Sequence, residues 1–155
     1  MPNERVVDLM IRPACTSDAA ALAGLMCELG YQTSESEMQS RLEKILSDPH
    51  YCTLVAVAED RVCGMIGTFA CYSFEHNDPG GRILALVVAK ASRRSSIGRR
   101  LVAAAENDFV QRNITRIAVN TSFERKDAHA FYERLGYTRN GFRFVKNPSA
   151  APRTC

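Results

Sequence analysis

The sequence predicts one α/β (α+β) domain, and three observations carry that expectation. The chain has 155 residues, 46% hydrophobic and 24% charged, a globular composition long enough for one sizeable core and too short for two. Apolar residues recur at helical spacing in some stretches and alternate or run continuously in others, so both helices and strands are expected. From the N-terminus the elements come in the order βα, α, ββ, β, α, β, α, β, with no repeat and no interdomain linker. One domain is expected over residues 1–155, with its core at about 8–146 and residues 147–155 as a frayed tail.

Each element has a local reason. A short apolar run ends at Met10-Ile11, and Thr16, Ser17 and Asp18 supply helix-start chemistry ahead of the alanine-rich stretch 19–26. A second helix is expected over 36–46, because Met38, Leu42 and Ile45 recur at helical spacing and Asp48-Pro49 stops it. Residues 51–58 and 62–72 are β-rich and joined by Glu59-Asp60-Arg61, which predicts a hairpin. The polar stretch 73–81 is a loop, and 83–89 is a nearly continuous apolar run expected to be a strand buried on both faces. Ile97, Leu101, Ala104, Ala105 and Phe109 then mark one side of a helix. A strand over 114–119 follows, then a short amphipathic helix over 127–135 closed by Gly136, and a last strand over 137–145 with alternation around Phe142 and Phe144.

The charge is unevenly placed. The net charge of +3 comes from 20 Lys and Arg against 17 Asp and Glu, yet residues 90–100 hold Lys90, Arg93, Arg94, Arg99 and Arg100 with no acid. Without those five the balance is 15 against 17, so the positive charge suits a compact anionic ligand better than a nucleic-acid face spread over the molecule. No apolar stretch approaches the roughly 20 residues a bilayer span needs. Neither a nucleic acid nor a membrane is expected as a partner, and the expected location is cytoplasmic. The six cysteines, Cys15, Cys27, Cys52, Cys63, Cys71 and Cys155, form no CxxC pair, and most lie in apolar segments as reduced thiols. His50, His76 and His129 show no zinc-ligand spacing, so no metal is expected.

Chemistry is concentrated where the strand at residues 84–88 runs through Ser92-Arg93-Arg94-Ser95-Ser96-Ile97-Gly98 into a helix. A helix start exposes unpaired N–H groups and a partial positive charge, so small residues there can wrap a phosphate while arginines pair with it. Neither GxxxxGK[ST] nor GxGxxG is present.

The run Val88-Ala89-Lys90-Ala91-Ser92-Arg93-Arg94-Ser95-Ser96-Ile97-Gly98-Arg99-Arg100-Leu101 resembles the acyl-CoA-binding signature of the GCN5-related N-acetyltransferases, R/Q-x-x-G-x-G/A after a buried strand. Asp127-Ala128-His129-Ala130-Phe131-Tyr132-Glu133-Arg134-Leu135-Gly136-Tyr137 is similar to that family's A-x-x-x-Y-x-x-x-G-[FY] helix. The resemblance runs from about residue 8 to 146 and implies a mixed, mostly antiparallel central sheet flanked by about four helices, with acetyl-CoA as cosubstrate. Arg93 takes the R/Q place, Ser96 replaces the first glycine, Gly98 keeps the second, and Arg94 stands where glycine is usual. By resemblance, the backbone of Leu86, Val87 and Val88 pairs with the pantetheine arm. The N–H groups of Ser95, Ser96, Ile97, Gly98 and Arg99 receive the pyrophosphate beside Arg93 and Arg94.

Tyr132 resembles the tyrosine that lies close to the thioester sulfur in many members, where a phenol can protonate the departing thiolate. Residues 128, 131, 132 and 135 also form a packing stripe, the plainer role for the same tyrosine. Arg125 stands where asparagine is frequent, seven residues before the tyrosine, so Ser122, Arg125 and Phe131 are candidates for cofactor contact. Gly64-Met65-Ile66-Gly67, Asp127-Ala128-His129 and Phe142-Arg143-Phe144 together look like the aminoalkylphosphonate N-acetyltransferase branch. Those members carry glutamates in the strand before the phosphate turn, where this chain has Arg82-Ile83-Leu84-Ala85.

The expectation is an N-acetyltransferase acting on a primary amine of a small molecule by direct attack in a ternary complex. Glu28, Tyr31, Glu75, Asp78 and Arg82 are the candidate acceptor contacts, Arg82 as partner of a phosphonate. With no acid at 82–85, amine deprotonation falls to water or a loop carboxylate. His129 is expected on a solvated helix face. Three alternatives stand beside this reading: acetylation of an aminoglycoside, acetylation of a protein terminus, and a catalytically silent acyl-CoA-binding sensor. Homodimerisation is left open.

Overall fold

The structure, a computed structural model, describes residues 8–121 and 124–148. Five strands form one sheet in the order β1-β2-β3-β4-β5: β1 (Leu9–Pro13), β2 (Tyr51–Ala58), β3 (Arg61–Cys71), β4 (Gly80–Val88) and β5 (Ile117–Val119). The first four pair antiparallel and β5 joins β4 in parallel, so the sheet is mixed and mostly antiparallel. Four α-helices accompany it among the described residues: α1 (Ala19–Leu29), α2 (Glu35–Leu46), α3 (Ile97–Gln111) and α4 (Lys126–Arg134). The chain divides into two compact units, one ending at Val119 and the other beginning at Asn120. The sheet and α1–α3 make up the first, and α4 lies in the second.

Helix ends follow side-chain chemistry. Before α1, the carboxylate of Asp18 accepts from the Cys15 N–H at 2.9 Å and from both guanidinium nitrogens of Arg12, at 2.8 and 2.9 Å, tying β1 to the helix start. That pairing holds the Asp18 carboxyl down at about 2. The helix stops at Gly30, whose φ of +109° suits a residue without Cβ. Helix α2 begins at Glu35 because the Ser34 hydroxyl accepts the Glu37 N–H at 3.1 Å.

Packing divides between the two sheet faces. Helices α1 and α2 press Leu22, Leu25, Met38 and Leu42 against Val55, Met65 and Val87, which share one face of β2, β3 and β4. Helix α3 covers the other face, where Phe109 meets Ala70 and Ile114. It comes close because Gly64 and Gly81 have no side chain. A Cβ on Gly64 would stand 3.1 Å from Leu101 Cδ1, and one on Gly81 would stand 2.8 Å from the Phe109 ring.

Three expectations are corrected. The strand expected over 114–119 is limited to Ile117–Val119, because the Ile114 N–H is donated to the Phe109 carbonyl at 2.9 Å and closes α3 instead. The run at 83–89 is not buried on both faces: Leu84 is 55% exposed and Arg82 is also exposed. No strand forms over 137–145, and Phe142, Phe144 and Val145 are exposed. Alternation defines the two faces of a strand, but a strand also needs a neighbour for its ladder, and composition does not supply one.

Candidate active site

The site in the first unit is built where β4 loses its parallel neighbour. The β4–β5 ladder covers Gly81–Ile117, Arg82–Ala118 and Ile83–Val119 and then stops, while β4 continues to Val88. The β3–β4 register skips Leu84, an extra residue that marks a β-bulge where the ladder ends. From there to Val88, β4 has β3 on one side and, among the described residues, no strand on the other, which leaves an open edge. The Ala89 N–H donates to Cys63 O at 2.8 Å, and antiparallel alternation then turns the peptide groups of Leu86 and Val88 to the open edge and those of Val87 toward β3. Leu86 and Val88 thus offer the strand-like pairing expected of this segment, and Val87 contributes its side chain to the core.

Beyond Val88 the chain makes a single turn at Lys90–Ser92 and enters α3. Arg93 donates from Nε to Val88 O at 3.2 Å, and the Ser95 hydroxyl donates to Ser92 O at 2.6 Å. No side chain caps α3 at Ser96, and the Arg100 N–H is bonded to Ser96 O, so the N–H groups of Ile97, Gly98 and Arg99 carry the positive end of a 15-residue helix. Arg93, Arg94, Ser95, Ser96 and Arg99 are exposed around it, and Ile97 is buried under it. The two departures from the family pattern differ in backbone. Ser96 has a φ of −80°, open to any residue, whereas Arg94 has a φ of +62°, the left-handed region that favours glycine.

The acceptor candidates are not brought to one place. Arg82 pairs across the sheet with Phe69 and Ala118, and Phe69 with Tyr51, so these four share the face that α1 and α2 cover further along. Tyr51 and Phe69 stand with ring centroids 4.7 Å apart. The loop bearing Glu75 and Asp78 joins Cys71 to Gly80, which pair at the same end of β4 as Arg82, and Arg116 donates to Asp78 O at 2.7 Å. Glu28 stands at the other end, its Oε2 accepting the Lys90 N–H at 3.0 Å, with Tyr31 exposed just beyond α1. Tyr51, Phe69 and His50 escaped sequence reasoning. The β2 and β3 alternation put Tyr51 and Phe69 on one face, but nothing in it showed that Arg82 pairs beside Phe69 across the sheet. The His50 Nδ1 lies 2.8 Å from Asp48 Oδ1, the His50 N–H donates to the same oxygen at 2.9 Å, and these contacts lower the Asp48 carboxyl.

In the second unit, Tyr132 is buried on α4, its ring edge-on to Phe131 at 5.1 Å and to Tyr137 at 5.6 Å. Burial pushes its phenol up to about 12, so it holds its proton throughout the physiological range. Gly136, with a φ of +92°, reverses the chain after α4, and the Tyr137 N–H returns to Tyr132 O at 3.0 Å. Arg125 stands exposed at the N-terminal boundary of α4, and His129 is half-buried on it. Ser122 lies outside the described residues.

A strand edge that leads through an arginine-rich turn to an uncapped helix start gives this α/β protein peptide groups and positive charge of the kind an extended, phosphate-bearing ligand pairs with. Residues 20–137 match the Acetyltransferase (GNAT) family, and the chain belongs to it. It is 33% identical over 141 residues to the aminoalkylphosphonate N-acetyltransferase of Salmonella typhimurium, which covers 88% of this chain and 89% of that one. A GNAT family acetyltransferase structure from Staphylococcus aureus is 29% identical with a TM-score of 0.78, covering 90% of this chain and 98% of that one. The aminoglycoside N-acetyltransferase AAC(6')-Iy, solved in complex with CoA, shares the fold at 18% identity and a TM-score of 0.82, covering 94% of this chain and 99% of that one. This chain is therefore an N-acetyltransferase. Among the described residues, no helix is long and apolar enough to cross a membrane.

Proposed function

We propose that the chain moves the acetyl group of acetyl-CoA to a primary amine of a small molecule, by direct attack in a ternary complex. The observation that carries this reading is the open edge of β4 feeding the α3 N-terminus. The pantetheine arm carries amides that match the edge-facing peptide groups of Leu86 and Val88 as a neighbouring strand would, once Arg93 Nε gives up the Val88 carbonyl for the ligand. The diphosphate suits the N–H groups of residues 95–99, with Arg93, Arg94 and Arg99 as charge partners. A peptide N–H on the same edge is placed to receive the oxyanion that forms as the amine attacks, and the family tyrosine motif assigns protonation of the thiolate to Tyr132.

The row of half-buried Tyr51 and Phe69 beside exposed Arg82 supports a small acceptor with an anionic end, and the Salmonella relative makes aminoalkylphosphonates the first class to test. Arg82 would pair with that anion in the stretch where the related branch carries glutamates. The base is then water or a carboxylate of the loop at the same end, Glu75 or Asp78. A rate that keeps rising toward the amine's own pKa is expected, and a plateau near pH 7 would refute the missing base.

Thiol release from acetyl-CoA with a panel of amines tests the whole reading. Turnover of a small phosphonate-bearing amine, with KM raised about tenfold or more by Arg82→Ala, is the expected result. CoA binding with no release above background would leave a sensor, and turnover confined to aminoglycosides or peptides would overturn the small-amine assignment.

A further inference from the structure

The turn that leads into α3 is held mostly by its own residues. The Ser92 N–H donates to Ala89 O at 2.8 Å, Arg93 Nε to Val88 O at 3.2 Å, and the Ser95 hydroxyl to Ser92 O at 2.6 Å. Such bonds fix the shape of the turn but not where it stands. Among the described residues, one side chain from another element bonds to residues 90–96: Glu28, whose Oε2 accepts the Lys90 N–H at 3.0 Å across 62 positions of sequence.

Glu28 sits in the last turn of α1, three residues after Leu25, which is buried in the cluster that holds Leu22 and Val87. That packing fixes α1 on β4. The Glu28 carboxylate therefore joins a rigid helix to the first donor of the Lys90–Ser92 turn, a group that the residue before it, Ala89, cannot cap. An ionised acceptor makes the stronger kind of bond to a peptide N–H. A carboxylate bonded to the Lys90 N–H, at the turn that leads into α3, also repels an incoming polyanion, so charge alone would make it a liability there. The two effects have opposite signs and can be separated by experiment.

We propose that Glu28 is a positioning residue for the donor: by accepting the Lys90 N–H it sets the Lys90–Ser92 turn against α1 and so aims the α3 N-terminus at the diphosphate. This rests on the reading that the turn holds acetyl-CoA. It also moves Glu28 away from the acceptor, where the sequence alone suggested it.

Calorimetry with CoA and steady-state kinetics on the full chain test it, using Glu28→Ala and Glu28→Gln. The alanine variant loses the acceptor oxygen, and its Kd for CoA and KM for acetyl-CoA are expected to rise about three- to tenfold, with kcat and the acceptor KM within about twofold of wild type. The glutamine variant keeps an oxygen that can accept the same N–H, and its CoA affinity is expected to return to within about twofold of wild type. Equal losses in both variants would make the charge, not the bond, decisive and overturn the proposal. Unchanged or tighter CoA binding by Glu28→Ala would overturn it as well, as would a rise confined to the acceptor KM, which would return Glu28 to the acceptor. A wild-type chain that binds no CoA would refute the acetyl-CoA reading itself, an outcome distinct from any change between variants.

Discussion

Replacing Gly81 with alanine places a methyl group 2.8 Å from Cε1 and Cζ of Phe109 and 3.0 Å from Cδ1. Carbon atoms in good contact stand about 3.5 to 4.0 Å apart, so the ring or the strand must move by close to 1 Å. Phe109 has nowhere to go, being 0% exposed between Ala70 and Ile114 with the Arg112 guanidinium 5.4 Å from its ring centroid. The strand cannot yield freely either, because the Gly81 N–H donates to Arg116 O at 2.8 Å where β4 takes up β5. Overpacking of this kind costs about 1 to 3 kcal/mol, which lowers Tm by roughly 2 to 4 °C per kcal/mol for a chain of this size. Urea unfolding followed by circular dichroism measures it, with Phe109→Leu as the second arm of a double-mutant cycle. If the methyl clashes with the ring, the double variant loses less than the two single losses together, by about 1 kcal/mol or more. Gly24, in the interior of α1, is the contrast: a Cβ there meets nothing within 4 Å, so Gly24→Ala should gain about 0.5 to 1 kcal/mol. Wild-type stability of Gly81→Ala, or strict additivity in the cycle, would refute the close-contact reasoning.

Asp18→Asn should cost about 2 kcal/mol at pH 7, since a carboxyl lowered from 3.8 to about 2 stabilises the fold by roughly 1.4 kcal/mol per unit. Because the folded value is the lower one, this stabilisation is present above pH 3.8 and lost as the pH falls toward 2, so denaturation midpoints of the two proteins should converge in acid. Tyr132→Phe should reduce kcat at least tenfold and leave CoA affinity nearly intact, and since the phenol titrates at about 12, the wild-type rate should show no decline from its ionisation below pH 10. A surviving kcat would make Tyr132 a packing residue. In the turn, Arg94→Gly should stabilise the ligand-free fold by up to about 1 kcal/mol of relieved left-handed backbone, read as a Tm higher by roughly 2 to 4 °C at most, whereas Ser96→Gly should not improve CoA affinity, because φ there is already −80°. Tighter binding by Ser96→Gly would contradict that backbone assignment.

Local patterns carried most of the elements because their causes are local. The apolar spacing of Met38, Leu42 and Ile45 and the break at Asp48-Pro49 bound α2 to within a residue, and Gly136 follows α4 in the left-handed conformation its position required. The passage from β4 into α3 was equally legible, since a strand, a serine- and arginine-rich turn and a helix start are adjacent in sequence. Segment 137–145 shows the limit. Its alternation is real, but a strand is a relation between two segments, and no strand forms there.

By itself, then, the sequence determined the family, the order of the elements as far as α4 and the serine- and arginine-rich turn between β4 and α3, all written in spacings of a few residues. Only the tertiary structure decided that the β4–β5 ladder stops at Ile83, that the peptide groups of Leu86 and Val88 rather than Val87 face the open edge, and that Arg94, not Ser96, carries the left-handed strain. It also decided where Glu28 stands, against the Lys90–Ser92 turn. Its partner Lys90 is 62 residues away, and contacts of that kind are set by packing α1 on β4, which no local pattern encodes.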